Sequence, residues 1–348
     1  QTTIKLLKNT SEAVKTSSKS NIVLNLQNFT LSNKGNTNVI KNYGTLLIYN
    51  GTISSSASTN GAVNNESGAN ITISGGRIIM TGGRQALYND KGTATITGDA
   101  YLFSSASARG AAQNTSGGTL NITGGTIIST GMSGVVNAGT MRIGVQGGGV
   151  NTSSPILQGK NYGIDSTTSF SFYDGITKGR TEAYNISAGR LVTVESGYGF
   201  IYPQETIDGN TYKTAYLTEM LTIALNGNGG NVNDSSKNIL RGEAIGTLPA
   251  ATRAGYVFDG WYTLPSGGTE VTPTTLFNAD ADIYAHWIQA DTASINGVNY
   301  ATLALAIRAV PSNGTPTIIT LIRDATENVT IPAGKNVILD LQNYTLSS

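Results

Sequence analysis

The stretch LNITGGTI, at residues 120–127, carries the pattern that decides the fold. Two apolar residues, Leu120 and Ile122, lie two positions apart, so in an extended chain their side chains point to the same face. Gly124 follows where the chain must turn, because glycine adopts left-handed backbone conformations without steric cost. Ile127 then supplies the next large apolar side chain. The stretch therefore predicts a strand, a corner and a second strand, with one face of each turned inward.

The same pattern recurs between residues 20 and 200, at intervals of 21 to 26 residues, with no helical periodicity between the copies. A single coil of this kind cannot bury its apolar face, whereas stacked coils bury a continuous core. The sequence thus predicts a mainly β protein with a parallel β-helix over residues 1–220. The further copies are at Leu24, Leu26, Asn28 and Leu31; at Leu46, Ile48, Asn50 and Ile53; at Ile71, Ile73, Gly75 and Ile78; at Ala94, Ile96, Gly98 and Tyr101; and, in part, at Met141 and Ile143.

A column of polar side chains recurs just before the strand motifs. Its predicted members are Asn42, Asn65, Asn89, Asn114, Asn137 and Asn185, with Asp165 in the remaining place. The column resembles the asparagine ladder of pectate-lyase-like right-handed β-helices, which implies a right-handed helix here. The alternative is a row of ligands for a sugar or a metal. We favour the ladder, because a buried amide needs hydrogen-bond partners and its neighbours in the stack are the obvious ones.

The chain ends as it begins. Residues 1–33 and 316–348 align without a gap at an offset of 315, with thirteen identical positions. Such a period indicates a window cut from a tandem array, since repeats arise by duplication of whole structural units. The expected function class is therefore a surface fibre or an adhesin, with neighbouring copies of the same repeat as head-to-tail partners.

The sequence changes character near residue 220. The segments RAGYVFDGWY, at residues 253–262, and DIYAHW, at residues 282–287, contain both tryptophans of the chain. Residues 221–289 resemble the Listeria–Bacteroides repeat, the B-type repeat of internalin-like surface proteins. The resemblance implies a small β-grasp-like domain that is used in tandem as a stalk or spacer on bacterial cells.

Residues 290–348 are predicted to start a second β-helix. Residues 302–310 form the one convincing helical stretch, which Pro311 ends. Apolar residues on nearly every face indicate that this helix is largely buried, as a plug over the first coil. Two coils are expected to follow, at 318–322 and 337–341, equivalent to residues 3–7 and 22–26.

Composition excludes several function classes. Only 12% of the residues are charged and the net charge is +1, which provides no basic surface for nucleic acid or an anionic membrane. The chain has no cysteine, hence no disulfide or thiolate metal site. No apolar run is long enough to span a bilayer. We expect no cofactor, no membrane insertion within this segment, and an extracellular location on a bacterial cell, the segment being internal to a longer protein.

Catalysis is the first alternative, because β-helix proteins include polysaccharide lyases and hydrolases. Such sites need carboxylates, alone or with basic residues, on neighbouring coils. Glu66 and Asp90 follow equivalent ladder positions, but Thr115 and Ala138 end that column on the next coils. The only histidine, His286, lies in the repeat signature, where a structural role is favoured. The sequence therefore predicts a protein that is not an enzyme.

Carbohydrate binding is the second alternative. Aromatic residues are dense between residues 162 and 216, and Tyr162, Tyr173 and Tyr184 are candidates for stacking on a host or cell-wall glycan. The competing interpretation is that these rings close the C-terminal end of the β-helix and pack against the following domain. We favour this structural role.

Overall fold

The computed structural model describes residues 1–33, 35–150 and 152–348, which divide into two compact units, Gln1–Met220 and Leu221–Ser348. The first unit is a parallel β-helix whose coils each contribute a strand to three sheets, here called faces A, B and C. This agrees with the predicted fold class. The face A strands are Thr2–Lys5, Asn21–Asn25, Thr45–Tyr49, Asn70–Ile73, Thr93–Ile96, Thr119–Ile122, Thr140–Ile143, Phe170–Phe172 and Val192–Val194.

The strands of faces B and C again pair in parallel with those of neighbouring coils. The face B strands are Thr10–Ser11, Thr30–Asn33, Thr52–Ser55, Arg77–Met80, Tyr101–Ser104, Thr126–Ser129, Ile156–Gly159 and Ile176–Gly179. The face C strands are Val14–Lys15, Ile40–Asn42, Val63–Asn65, Leu87–Asn89, Ala112–Asn114, Val135–Asn137, Tyr162–Ser166 and Glu182–Ile186.

The predicted apolar pairs form the core of the β-helix. Ala94 pairs in register with Leu120, and Ile96 with Ile122, and all four side chains are fully buried. Because the alternation places every second residue of a face A strand inward, like side chains of successive coils stack on one another. The burial of these apolar columns stabilises the stack of coils.

Left-handed residues make the corners between faces A and B, as the pattern predicts. Asn50 has a φ of 56° and Gly98 a φ of 62°. In coils with a glycine pair the left-handed residue is the second glycine, as with Gly76 at 75° and Gly125 at 83°. The predicted corners at Gly75 and Gly124 were therefore one residue early, because the sequence pattern does not show which glycine of a pair takes the positive φ.

The last coil of the first unit ends in antiparallel pairing. The long strand Asn210–Asn226 runs antiparallel to the face B strand Ile176–Gly179 and to two short strands, Tyr198–Ile201 and Gln204–Ile207. An antiparallel partner cannot continue the coil direction, so the parallel stack of face B ends here.

The second unit begins with a small mixed sheet. Residues 223–226, the end of the long strand, pair in parallel with Ala281–Gln289, which pairs antiparallel with Tyr256–Tyr262. The strand Ser236–Leu240 lies on the other side of the long strand. The first and last strands of residues 221–289 are thus adjacent and parallel, and these residues contain no helix. The sheet has its own core, built around Ile223, Trp261 and Ile283.

The rest of the second unit holds the predicted helix, Leu303–Ala309. Thr302 is its N-cap, with its hydroxyl accepting a hydrogen bond from the Leu305 amide, and Pro311 follows its end. The accompanying strands are Ala293–Ile295, Val298–Tyr300, Thr317–Leu321, Ala325–Thr326, Val337–Asp340 and Leu346–Ser347.

This helix covers the apolar end of the coil that follows it. Leu303 and Ile307 are buried in one cluster with Ile319 and Leu321. Leu305, in contrast, is 45% exposed. The expectation that the helix is largely buried was therefore wrong, because only one face of a helix reaches a coil that it covers.

The strand register of the chain start is repeated at its end. Thr2 pairs with Ile22 in the first coils, and Thr317 pairs with Val337, each 315 residues later. On face B, Thr10 pairs with Leu31, and the equivalent pair Ala325 and Leu346 forms a second small sheet. The sequence repeat is thus also a structural repeat, which restarts after the helix.

Candidate functional site

The asparagine column is a continuous chain of buried hydrogen bonds. Each side-chain amide donates to the Oδ1 atom of the next asparagine, at 2.7–2.8 Å, and the side chains are at most 1% exposed. Each of these asparagines is the last residue of a short face C strand, and its side chain points inward where the chain turns towards face A. The members of this ladder are Asn42, Asn65, Asn89, Asn114 and Asn137.

Backbone carbonyls complete the hydrogen bonding of the ladder. The Asn89 Nδ2 atom, for example, also donates to the carbonyls of Gly92 and Thr119, at 2.9 and 3.0 Å. An amide nitrogen has only two hydrogens, and here both are used within the protein. Each Oδ1 atom of the ladder also accepts a hydrogen bond already, so the ladder holds the turns together and offers neither free amide hydrogens to a sugar nor a free amide oxygen to a metal.

Two predicted members lie outside the ladder. The residue in register with Asn137 is Ser166, so Asp165 is one position out of the column and Asn185 pairs with Asp165. The Asn185 amide donates to the Asp165 carboxylate, at 2.8 Å, on the outer side of face C. The prediction failed there because an insertion after Ile143 lengthens this coil and shifts the spacing.

Hydroxyl groups end the ladder at both sides. Thr16 donates to the Oδ1 atom of Asn42, at 2.8 Å. At the other end, Asn137 donates to the hydroxyls of Ser166 and Thr168, at 2.9 and 2.8 Å. These hydroxyl residues were not predicted, because the column in the sequence was defined by its amide side chains. The apolar spacing could have indicated Ser166. The buried Ile164 pairs with the buried Val135, and Ser166 follows Ile164 by two residues as Asn137 follows Val135.

The aromatic-rich segment closes the core of the β-helix. Phe200 lies 5.1 Å from Phe172 and 5.5 Å from Tyr184, and Tyr184 meets Phe170 edge to face at 6.1 Å. The hydroxyls of Tyr184 and Tyr202 are 2.9 Å apart. Such contacts between rings add to the burial of apolar surface, as expected for an end cap.

The three tyrosines proposed for glycan stacking do not form one exposed surface. Tyr173 is 6% exposed, and Tyr162 and Tyr184 are half-buried. The Tyr184 ring is also occupied by the aromatic cluster. This geometry favours the structural role of the segment over a stacking platform.

The charged residues considered for catalysis are engaged with other side chains. Glu66 forms a salt bridge with Lys41, at 3.1 Å, and Asp90 accepts a hydrogen bond from Thr115, at 3.2 Å. Among the described residues no group of three His, Cys, Asp or Glu side chains could hold a metal ion.

The tryptophans of the signature segments organise the small mixed sheet. Trp261 is 3% exposed and donates from Nε1 to the Pro249 carbonyl, at 2.7 Å. Phe258 lies between the two tryptophans, with its ring 5.7 Å from that of Trp261 and from that of Trp287. His286 stacks on Tyr262 with the ring centroids 3.9 Å apart, which is a structural role for the only histidine.

Residues 222–286 match the family model of the Listeria-Bacteroides repeat domain. The match covers the small mixed sheet and its core, and it agrees with the resemblance seen in the signature segments. Listeria-Bacteroides repeats are typical of bacterial surface proteins. A comparison with curated proteins finds no matching sequence. In the part of the chain that the structure describes, no helix combines the length and apolar character that a bilayer span requires.

Proposed function

We propose that the protein is a non-catalytic structural repeat unit of a long extracellular fibre or stalk on a bacterial surface. The observation that carries this proposal is the strand register, which is the same at the two ends of the chain, 315 residues apart. A repeat that restarts with its own helix can be extended by whole units. The Listeria-Bacteroides repeat between the two β-helical parts supports the surface location.

A surface location can be tested by immunogold labelling. We expect antibodies raised against the unit Gln1–Met220 to label intact cells of the producing bacterium as densely as lysed cells. Antibodies against a cytoplasmic protein are the control and should label only lysed cells. Labelling confined to lysed cells would contradict the extracellular part of the proposal.

The non-catalytic part of the proposal rests on the engagement of the charged side chains. Glu66 and Asp90 contact Lys41 and Thr115, and Thr115 and Ala138 end their column on the next coils, which supports a structural role for both carboxylates. Release of new reducing ends or unsaturated products from pectin, alginate or glycosaminoglycans by the purified protein would instead support a β-helix lyase or hydrolase.

We further propose that neighbouring copies of the unit associate head to tail. Leu24 and Leu26 are 6% and 1% exposed, whereas their equivalents Leu339 and Leu341 are 36% and 40% exposed. The residues and their register are the same, and the difference is the third coil that covers the first pair. A third coil stacked on Leu339 and Leu341 would supply that cover, and in a head-to-tail arrangement a neighbouring copy provides it.

Sedimentation velocity tests this association. We expect the protein to show concentration-dependent elongated oligomers, and a variant with Leu339→Glu and Leu341→Glu to remain monomeric, because charges cannot enter an apolar coil interface. Leu276→Glu is a control at an exposed leucine of the repeat domain and should associate like the wild type. A wild-type protein that stays monomeric at its highest soluble concentration would refute head-to-tail stacking.

A further inference from the structure

A polar recess lies beside face C, where three consecutive coils contribute the strands Val63–Asn65, Leu87–Asn89 and Ala112–Asn114. Its volume is about 220 Å³. This is smaller than the roughly 300–1,000 Å³ of clefts for drug-sized ligands, and it suits a ligand of about one sugar ring. The side chains that matter for binding are Asn64, Arg84, Gln85, Tyr88, Arg109 and Gln113.

Two arginines occupy the same position on successive coils. Leu87 pairs with Ala112, and Arg84 and Arg109 each lie three residues earlier. Neighbouring coils are about 4.8 Å apart, so the two like charges lie on adjacent levels of the stack. Within the described part of the chain, neither guanidinium forms a salt bridge. Two unpaired guanidinium groups side by side favour an anion, and a planar carboxylate matches their hydrogen-bond geometry.

The nearby carboxylates do not neutralise these arginines. Glu66 forms an ion pair with Lys41, Asp90 keeps its negative charge while it accepts a hydrogen bond from Thr115, and neither carboxylate lines the recess. The recess therefore keeps a positive character that an incoming anion can use.

Gln85 supplies an unsatisfied polar group at the same place. Its side chain lines the recess and is 95% buried, since only 5% is exposed, and its Oε1 atom has no hydrogen-bond partner. The equivalent positions on the neighbouring coils are Gly61 and Gly110, which leave room for the long side chain. A buried acceptor without a partner is costly, so it calls for a donor such as a ligand hydroxyl.

Neighbouring side chains add further hydrogen-bonding groups. The Oδ1 atom of Asn64 accepts from Asn38, at 2.9 Å, which leaves the Asn64 amide hydrogens to donate. Burial, together with the nearby Asp90 carboxylate, raises the pKa of the Tyr88 phenol, which therefore stays protonated and can donate at neutral pH. A ligand with one carboxylate and several hydroxyls would match this set.

We propose that this recess binds a carboxylate-bearing sugar residue of a glycan. Arg84 and Arg109 hold the carboxylate, and Gln85 and Asn64 bond ring hydroxyls. This binding site is separate from the aromatic end cap, and it requires neither the fibre nor the head-to-tail contact proposed above. A unit with such a site would add glycan adhesion to a structural role.

Calorimetric titration of the intact protein with defined oligosaccharides tests the site. The probes are a glucuronate-containing oligosaccharide and a sialylated oligosaccharide, each with its carboxyl-reduced counterpart. We expect one of the acidic probes to bind and its reduced form to bind at least about tenfold more weakly, since hydrogen bonds to charged groups are the strongest ones. The probe that binds distinguishes a uronate source from a sialic acid source. Absence of binding by both acidic probes, or equal binding of the reduced forms, overturns the proposal.

Three variants locate the site. Arg109 is exposed, so Arg109→Ala should leave the fold intact and weaken binding by about tenfold or more. Arg77→Ala removes the same charge at an arginine that lies over the Tyr101 ring on face B, and should change affinity by less than about twofold. Equal losses in these two variants would show a bulk charge effect and refute the site.

The third variant, Gln85→Met, separates binding from folding. Because it removes the unpaired buried oxygen, its thermal midpoint should equal or exceed that of the wild type while its affinity falls. Unchanged affinity for the acidic probe in this variant would exclude Gln85 from the site.

Discussion

Asn89→Ala is expected to destabilise the β-helix by about 3–5 kcal/mol, although it removes only one small side chain. Asn89 lies in the middle of the ladder, where it accepts from Asn65 and donates to Asn114, at 2.8 and 2.7 Å. Its loss takes the ladder donor from the Asn114 oxygen and the ladder acceptor from the Asn65 amide, while the carbonyls of Gly92 and Thr119 each lose one donor. Each buried group without a partner costs about 1–3 kcal/mol, which accounts for the size of the effect.

Urea unfolding followed by far-UV circular dichroism would measure this loss, with hydrogen exchange to show where the structure opens. We expect hydrogen exchange to accelerate first in the strands Val63–Asn65 and Ala112–Asn114, which pair with the strand that carries Asn89. Asn70→Ala is the matched control, because Asn70 is exposed on face A and its change should stay within about 0.5 kcal/mol. Equal stability of the two variants would show that the ladder is not a stabilising element.

Trp261→Ala is expected to unfold the Listeria-Bacteroides repeat and to leave the β-helix folded. Truncation of a large buried aromatic side chain costs about 3–5 kcal/mol, and here the Nε1 hydrogen bond to Pro249 and the contact with Phe258 are lost as well. The core of the repeat is small and separate from that of the β-helix. A small core gives only marginal stability, so a loss of this size is expected to unfold the repeat.

The remaining tryptophan reports on this event. Trp287 packs against the core of the repeat, so its fluorescence should shift to that of an exposed indole in the variant while the far-UV signal of the β-helix persists. Leu264→Ala, at an exposed leucine of the same domain, should leave the fluorescence unchanged. Loss of the β-helix signal together with that of the repeat would mean that the two cores unfold as one.

Several parts of the structure could be predicted because they depend on local sequence. The spacing of Leu120 and Ile122 defines the inward face of a strand, and a glycine or asparagine marks each corner. The helix start at Thr302 and its stop before Pro311 follow from capping and from the missing amide of proline. The ladder from Asn42 to Asn137 could be found because its coils have nearly equal lengths.

Other features depended on how the coils stack. Asp165 and Ser166 are adjacent in sequence, and only the pairing of Ser166 with Asn137 decides which of them enters the ladder after a coil of different length. Leu305 is apolar, yet it is exposed because the helix presents another face to the coil that it covers.

The sequence by itself determined the coil period and the repeat domain, which follow from spacing within a few dozen residues, and the restart after residue 315, which follows from the match of residues 1–33 with residues 316–348. Only the tertiary structure decided the end cap around Tyr184 and the recess with Arg84, Gln85 and Arg109. The physical reason is that stacking brings side chains from different coils within hydrogen-bond distance, and small changes in loop length decide which residues meet.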